Sequence, residues 1–383
     1  MEMLVLGAGL QGCACAYDLL RNPAVTKVTL ADLRTESLPA WLASAGQGRL
    51  VPMRLDVTDH PAVLHAMRGH AAVMSAIPYY FNLALAECAV EAGVHFCDLG
   101  GNTEIVFQQK ALAERARTKG VTIIPDCGVA PGMVNILAEH GIRQLDTVES
   151  VRIYVGGLPQ NPQPPLNYQV VYSLEGVLDY YTTLSWVLRD GQRTRVTALS
   201  ERELVEFPDP VGTLEAFHTA GGLSTMAFRY EGVIPEMEYK TLRYPGHAEI
   251  METIRDLGLL DLDPVEVKGL KVAPRDLFVT VVGPKLSKPK GKDLLALRVT
   301  VRGLKDGRPV ERRFDLVDRY DEAHGISAMM RTTGYSLSIT GQMQARHEVG
   351  PAGVWTPDEC MPAEAYMREL RARGIELAES VGS

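Results

Sequence analysis

Residues 3–32 restrict this chain more than any other stretch of it. Met3–Leu6 is a short apolar run stopped by glycine, the pattern of a strand buried on both faces. Gly7-Ala8-Gly9-Leu10-Gln11-Gly12 follows at once, then a helix-like stretch from Cys13 to Arg21 and a second apolar run, Val25–Ala31, ending at Asp32. Alone, G-x-G-x-x-G is a weak signal, because glycine is common. Set between a strand and a helix, with an acid about 20 residues further on, it is strong. Each glycine has its own task. Gly7 permits the tight turn, Gly9 lets backbone N–H groups approach a pyrophosphate, and Gly12 allows close helix–strand packing. Leu10 and Gln11 open the helix, whose unpaired N–H groups and partial positive charge favour an anion. Asp32 is placed to accept both ribose hydroxyls of NAD and to repel a 2′-phosphate. Arg34, two residues on, offsets that repulsion and leaves NADP open, so NAD is the expected cofactor and NADP the second choice.

The alternation continues. Leu50–Leu55, Ala71–Ile77, Val94–Cys97 and Val121–Ile124 are further strand candidates. Between them lie helix patterns, one capped at Thr58 or Asp59 with Pro61 in its first turn, one over Asn82–Ala92 and one over Thr103–Thr118. Six strands separated by helices predict an α/β, doubly wound parallel sheet (a Rossmann domain) with ligands at the carboxyl ends of its strands. The residues just past those ends are Gly7–Gly12, Asp32, Asp56, Ser75–Tyr80, Asp98–Asn102 and Asp126–Gly132. Asp56 and the run Ala76-Ile77-Pro78 therefore join the expected cofactor contacts.

Beyond Gly132 the character changes. A helix pattern reaches about Arg143, and Val148–Val155 alternates as a half-buried strand. Gly156–Pro165, rich in Pro and Gly, reads as an irregular surface loop. Leu294–Val301 and Val310–Val317 flank Lys305-Asp306-Gly307-Arg308, a hairpin signal. A second, mixed α+β domain is expected over 134–324, for substrate binding and oligomerisation. Residues 1–133 plus 325–383 are expected to form the nucleotide domain. The helix pattern Ser327–Met343 carries small residues suited to close packing against that domain, and Lys285–Lys292 reads as a solvated loop.

Composition excludes several classes. A chain of 383 residues accommodates two or three domains. Its net charge of −8 argues against a nucleic-acid binder. No apolar run approaches the roughly 20 residues needed to cross a bilayer. Six cysteines without a C-x-x-C pair suggest neither a disulfide scaffold nor a zinc site. The N-terminus lacks the basic region of a signal peptide, so the cytoplasm is the expected compartment. His60, His65 and His70 recur every five residues and do not share a helix face, so no metal is expected.

Four stretches are similar to the saccharopine dehydrogenase family: Gly7–Gly12, Asp98-Leu99-Gly100-Gly101, Ile124–Met133 (with A-P-G at Ala130–Gly132) and Tyr239-Lys240-Thr241-Leu242-Arg243-Tyr244-Pro245-Gly246-His247. The resemblance runs from Met1 to about Arg373; Cys127 and Pro245 are local departures. Tyr154–Gly157, Ser173–Gly176 and Leu214–Thr219 look most like the branch that oxidises the ε-amine of lysine. The resemblance implies NAD-dependent oxidative deamination of L-lysine at Cε, giving 2-aminoadipate 6-semialdehyde, which cyclises. It also implies a homodimer or larger assembly formed through the second domain. Relatives use the same scaffold on saccharopine or carboxyaminopropyl polyamines, so a saccharopine or carboxynorspermidine dehydrogenase is the enzyme alternative. A redox sensor that binds NAD without turnover is the non-enzymatic one.

That chemistry sets demands. Hydride leaves Cε only when the amine lone pair is free, so the ε-ammonium must lose a proton. A substrate carboxylate calls for Arg or Lys, and an α-ammonium for a carboxylate or carbonyl cage. Arg243, whose fork matches a carboxylate, is the first candidate for that group and Lys240 the second. Glu175 is a candidate for the α-ammonium, level with a helix-capping role. Asp98 is expected as general base or ε-ammonium anchor, against capping of the following helix. Tyr79 is expected to hydrogen-bond substrate or nicotinamide ribose, and His218 to supply a polar contact or proton relay.

Overall fold

The six apolar runs become six strands in the computed structural model, which describes residues 1–36, 38–170, 173–287 and 291–382. They are β1 (Glu2–Leu6), β2 (Lys27–Asp32), β3 (Leu50–Arg54), β4 (Ala72–Ser75), β5 (His95–Asp98) and β6 (Thr122–Ile124). All pair in parallel in the order β3-β2-β1-β4-β5-β6. The order reverses between β1 and β4, and that switch point is where such sheets bind ligands. Met3–Leu6 are wholly buried, as a central strand covered on both faces requires. Pro52 sits in β3, the edge strand, where a missing N–H costs no ladder bond. The expected helix Thr103–Thr118 is two, Thr103–Lys110 and Ala113–Lys119, and a short helix at Ala40–Gly46 adds to those expected.

The second sheet is mixed. It contains β7 (Thr147–Pro159), β8 (Ser185–Arg189), β9 (Gln192–Val196), β10 (Glu203–Phe207), β11 (Gly212–His218) and β12 (Glu236–Arg243). A small separate hairpin, β13 (Val265–Val267) and β14 (Leu270–Val272), precedes β15 (Asp293–Lys305) and β16 (Arg308–Arg319). Asp306 and Gly307, both at positive φ (51° and 71°), turn β15 into β16, the conformation a two-residue hairpin favours. β7 runs on through Gly156–Pro159, where a loop was expected. A Cβ on Gly156 would lie 2.5 Å from the Leu242 carbonyl oxygen, so the glycine serves a close strand approach. Of Lys285–Lys292, residues 288–290 lie outside the described residues; Lys285 is exposed, and Lys292 pairs with Glu322 on the surface.

The C-terminal segment divides between the sheets. β17 (Gly353–Val354) extends the first sheet beside β6, but β18 (Leu377–Gly382) pairs with β16 of the second. The block 325–383 therefore does not return whole to the nucleotide domain, because the last strand completes an edge that β16 would leave open. One apolar cluster links the two sheets. It passes from Met3 and Val5 through Met133, Val134 and Leu137 to Val151, Leu295 and Phe314. A shared apolar interface of this kind opposes free motion of the domains.

The helix Ala328–Ala345, capped by Ser327 accepting the Met330 N–H at 3.1 Å, supplies much of that interface. It lies on the helix Leu10–Arg21 so closely that a Cβ on Gly334 would meet Ala14 Cβ at 2.6 Å and the Gln11 carbonyl oxygen at 2.8 Å. Replacing Gly334 with valine forces backbones apart and is expected to cost about 1–3 kcal/mol of unfolding free energy, read by urea denaturation.

Candidate active site

A cavity of about 480 Å³ opens at the switch point. One lip is the first sheet's carboxyl edge, contributing Gly9–Gln11, Ala76–Tyr80, Leu99–Gly100 and Gly128–Pro131. The other lip comes from the second domain, with Ser173, Glu175, Asp179, Tyr180, Tyr239, Thr241 and Arg243. Glycine-rich turn and Arg243 thus line the same space.

The turn fits a dinucleotide by two independent signs. A Cβ on Gly12 would lie 1.8 Å from the Gly7 oxygen, so that glycine is required by the fold itself. Gly9 is different. Its φ of −74° suits any residue, and a Cβ there meets nothing within 4 Å, so the backbone at Gly9 stands open to an incoming group. Both polar atoms of the Gln11 amide are buried without a hydrogen-bond partner, beside the same space. Asp32 Oδ2 accepts the Ala8 N–H at 2.7 Å and Oδ1 accepts the Arg34 N–H at 3.0 Å, which pins the carboxylate against the turn. Arg34 is exposed. Asp56 is exposed too, and its Oδ1 accepts from the Thr58 hydroxyl (2.7 Å) and N–H (2.9 Å). These bonds hold its carboxyl below the usual range, and it closes a turn outside the cavity.

Strand pleating sorts the basic motif. Side chains alternate along β12, so Tyr239, Thr241 and Arg243 face the cavity while Lys240 points the other way. Lys240 Nζ donates to Glu203 (2.7 Å) and to the Glu201 carbonyl (2.8 Å), and so does not reach a ligand in the cavity. His218 lies outside the cavity lining as well. It is wholly buried at the end of β11, with Nε2 3.1 Å from Glu201, and burial pushes its pKa down. Glu201, His218 and Glu238 bring their ligating atoms within 4.8 Å of one another. Arg189 Nη2 already donates to both carboxylates at 2.7 Å, so a guanidinium holds the place an ion would need.

The cavity's charges come from two elements. Arg243 is buried, with Nη1 on the Leu242 carbonyl (2.8 Å), Nε on the Tyr181 hydroxyl (3.2 Å) and its guanidinium 4.7 Å over the Tyr168 ring. Glu175 and Asp179 face it from the helix Leu174–Thr182, four residues apart and hence on one side. Ser173 takes the N-cap by accepting the Gly176 N–H at 3.2 Å, so Glu175 is not needed as a cap. Asp179 is absent from the residues expected on sequence grounds, although its spacing from Glu175 is visible there. One of its oxygens accepts from Arg275 at 2.5 Å.

Asp98 is a correction. Its carboxylate is fully buried beneath the Leu99–Gly100 wall and lines no part of the cavity. Oδ1 accepts the Gly100 N–H and Oδ2 the Gln109 amide, each at 2.7 Å; Asn102, not Asp98, caps the next helix. Burial pushes Asp98 up to about 7, aided by the nearby Asp126, itself pushed up to about 6 by burial. Asp126, at φ +63°, accepts the Gly101 N–H at 3.1 Å and the Ser224 hydroxyl. A Cβ on Gly100 would sit 1.6 Å from Asp126 Oδ1, so the two acids shape the glycine turn that floors the cavity. Tyr79 does line the cavity, half-buried beside Ala76-Ile77-Pro78, with Tyr180 and Tyr239 across from it. Tyr239 opens the family-like stretch but has no expected role on sequence grounds, and Tyr180 carries no sequence signal beyond being aromatic.

Two outcomes test this arrangement. Gly9→Ala should change unfolding free energy by less than about 1 kcal/mol, yet lower dinucleotide affinity measured by calorimetry. For Asp98 the folded pKa lies above the unfolded one, so the folded state keeps a proton that the unfolded state releases. Stability then falls as pH rises from about 4 to about 7 and levels beyond. Asp98→Asn removes that slope, so its stability relative to wild type should rise over this window in urea titrations.

Comparison with known proteins agrees with this build. The family model described as the saccharopine dehydrogenase NADP binding domain matches residues 3–124, and the saccharopine dehydrogenase C-terminal domain matches residues 128–375. The saccharopine dehydrogenase [NADP(+), L-glutamate-forming] of Pyricularia oryzae is 26% identical, with 99% of each chain covered. The protein of that name from Saccharomyces cerevisiae is 26% identical over 77% of this chain and 66% of its own. Among solved structures, apo saccharopine dehydrogenase (L-Glu forming) from S. cerevisiae superposes with a TM-score of 0.81 at 20% identity, covering both chains fully. Homospermidine synthase from Legionella pneumophila in complex with NAD gives 0.70 at 10% identity, over 100% of this chain and 91% of the other. At such identities the two structures establish the fold.

Proposed function

Since this chain belongs to the saccharopine dehydrogenase family and is an NAD(P)-dependent dehydrogenase, we propose that it oxidises the ε-amine of L-lysine with NAD, a lysine 6-dehydrogenase activity. The charge complement of the cavity carries this reading. Among the described residues, one cation, Arg243, and two carboxylates, Glu175 and Asp179, line it. Lysine offers one carboxylate and two ammonium groups. Saccharopine brings three carboxylates, and the additional two, carried on the ε-nitrogen, would meet no further lining cation among the described residues. The names of the relatives speak for the alternative, saccharopine oxidation, and that reading is carried as the second.

In the first reading Arg243 grips the α-carboxylate through its planar fork. Glu175, with the free oxygen of Asp179, holds the α-ammonium. The substrate chain then points toward Ala76-Ile77-Pro78, where Tyr79 hydrogen-bonds the amine or the nicotinamide ribose. Bound on Gly7–Gly12, the dinucleotide supplies the hydride acceptor. Asp98 acts through the Gly100 turn rather than on the amine, whose proton leaves to water from the cavity. Asp32, pinned with one N–H on each oxygen, favours the ribose hydroxyls of NAD over a 2′-phosphate, despite the NADP(+) in the relatives' names. A homodimer or larger assembly in the cytoplasm completes the proposal. Leu262, Val265, Val267 and Leu270, exposed around the β13–β14 hairpin, give a second copy an apolar face. No helix among the described residues is long and apolar enough to cross a membrane.

Steady-state assays of lysine and saccharopine with each cofactor separate the readings. Reduction of NAD by lysine is expected; none with lysine but turnover of saccharopine establishes the alternative, and binding of NAD without any turnover the sensor. Arg243→Ala should lower kcat/KM for lysine by about 2–3 kcal/mol, on the order of 30- to 150-fold, the loss of a charged hydrogen-bond pair. Asp32→Ala should weaken NAD more than NADP, and equal losses would contradict the role given to Asp32.

A further inference from the structure

Behind Arg243 the hydrogen bonds admit one arrangement of protons. The Leu166 carbonyl only accepts and lies 3.0 Å from His247 Nδ1, so that nitrogen carries the hydrogen. In a neutral imidazole Nε2 is then an acceptor, and the Tyr181 hydroxyl, 2.9 Å away, must donate to it. The hydroxyl oxygen is left with its lone pairs toward Arg243 Nε–H at 3.2 Å, a group that only donates. Reversing the imidazole tautomer would set two acceptors, Nδ1 and the Leu166 carbonyl, against each other and take from the Tyr181 hydroxyl hydrogen its acceptor. All three side chains are buried, at 2% exposure for His247, 1% for Tyr181 and 4% for Arg243, so water cannot repair a mismatch cheaply.

The surroundings hold the imidazole neutral and in place. Phe217 stacks on it at 9° between planes, Tyr168 meets it edge-on at 5.3 Å, and Arg243 adds positive charge nearby. Burial, then that charge, pushes His247 down to about 3. Its place in the chain is set by Gly246, at φ +90°, which turns β12 into the helix His247–Asp256 and brings His247 back behind Arg243. Arg243 and His247, the middle and the last residue of the sequence motif, thus meet through Tyr181, a residue from a different helix.

We propose that His247 is a positioning residue, which through Tyr181 aims the Arg243 guanidinium at the substrate carboxylate and so sets KM rather than the chemical step. The proposal rests on the assignment of that carboxylate to Arg243. In His247→Phe, Tyr181 loses its acceptor, and KM for lysine should rise about tenfold with kcat within twofold and NAD affinity unchanged. Tyr181→Phe should match it, and the double variant should be no worse than either single one, since both break the same chain. His247→Gln, which restores an acceptor for the Tyr181 hydroxyl, should recover most of the loss. A fall in kcat at unchanged KM, additive losses in the double variant, or no recovery with glutamine would overturn the proposal.

A measurement independent of substrate separates this from failure of the lysine reading. In protein labelled with ¹⁵N-histidine and ¹⁵N-arginine, NMR of the wild type at pH 7 should show His247 protonated on Nδ1 and bare on Nε2. The Arg243 Nε–H resonance should shift in both Tyr181→Phe and His247→Phe. The opposite tautomer, or an Arg243 signal indifferent to His247, would overturn the relay whatever the enzyme oxidises.

Discussion

Gly334 lets the helix Ala328–Ala345 lie almost backbone to backbone on the helix that begins at Leu10, and the site depends on that approach. The first turn of the Leu10 helix is the phosphate end of the nucleotide domain. The Ala328 helix reaches the same cavity with Met329 and Thr333. A side chain at 334 would push the glycine-rich turn away from the lip that carries Arg243. The shared apolar cluster running from Met3 to Phe314 then turns this local fit into a fixed separation between the two lips.

Within that frame, strand alternation and helix spacing separate the charges. β12 sends Arg243 into the cavity and Lys240 to the opposite face, where Glu203 neutralises it. The helix Leu174–Thr182 sends Glu175 and Asp179 inward together because they are one turn apart. The outcome is a space lined by a cation from β12 and carboxylates from the helix Leu174–Thr182, suited to the carboxylate and ammonium groups of an amino acid. Beneath its floor two acids are kept dry, and burial raises both pKa values. They accept N–H groups from a turn too tight for any Cβ, which explains why acids stand there without lining the cavity.

Much of the nucleotide domain is legible in the order of its residues. The strand ends at Leu6, Asp32 and Ile124 and the cap at Asp59 follow from local rules of period, capping and turn geometry. Legibility fails where a residue's neighbours come from far along the chain. Gly156–Pro159 reads as loop by composition, yet it is strand because Leu242 passes close by. β18 leaves its expected domain because the β16 edge needs a partner. Among candidate site residues, Tyr79, Glu175 and Arg243 line the cavity with the cofactor turn, whereas Asp98, Lys240 and His218 do not.

By itself, then, the sequence determined that a dinucleotide-type turn opens the chain and that an acid stands beside it. Those features are set by the steric needs of consecutive residues, and glycine spacing records them directly. Only the tertiary structure decided which polar side chains line the cavity. Orientation toward the cavity depends on which face of β12 packs against the nucleotide domain, and on which distant groups, such as Glu203 for Lys240 and Tyr181 for Arg243, engage each charge first. Such competition is settled by contacts between segments far apart in the chain, and no local pattern encodes it.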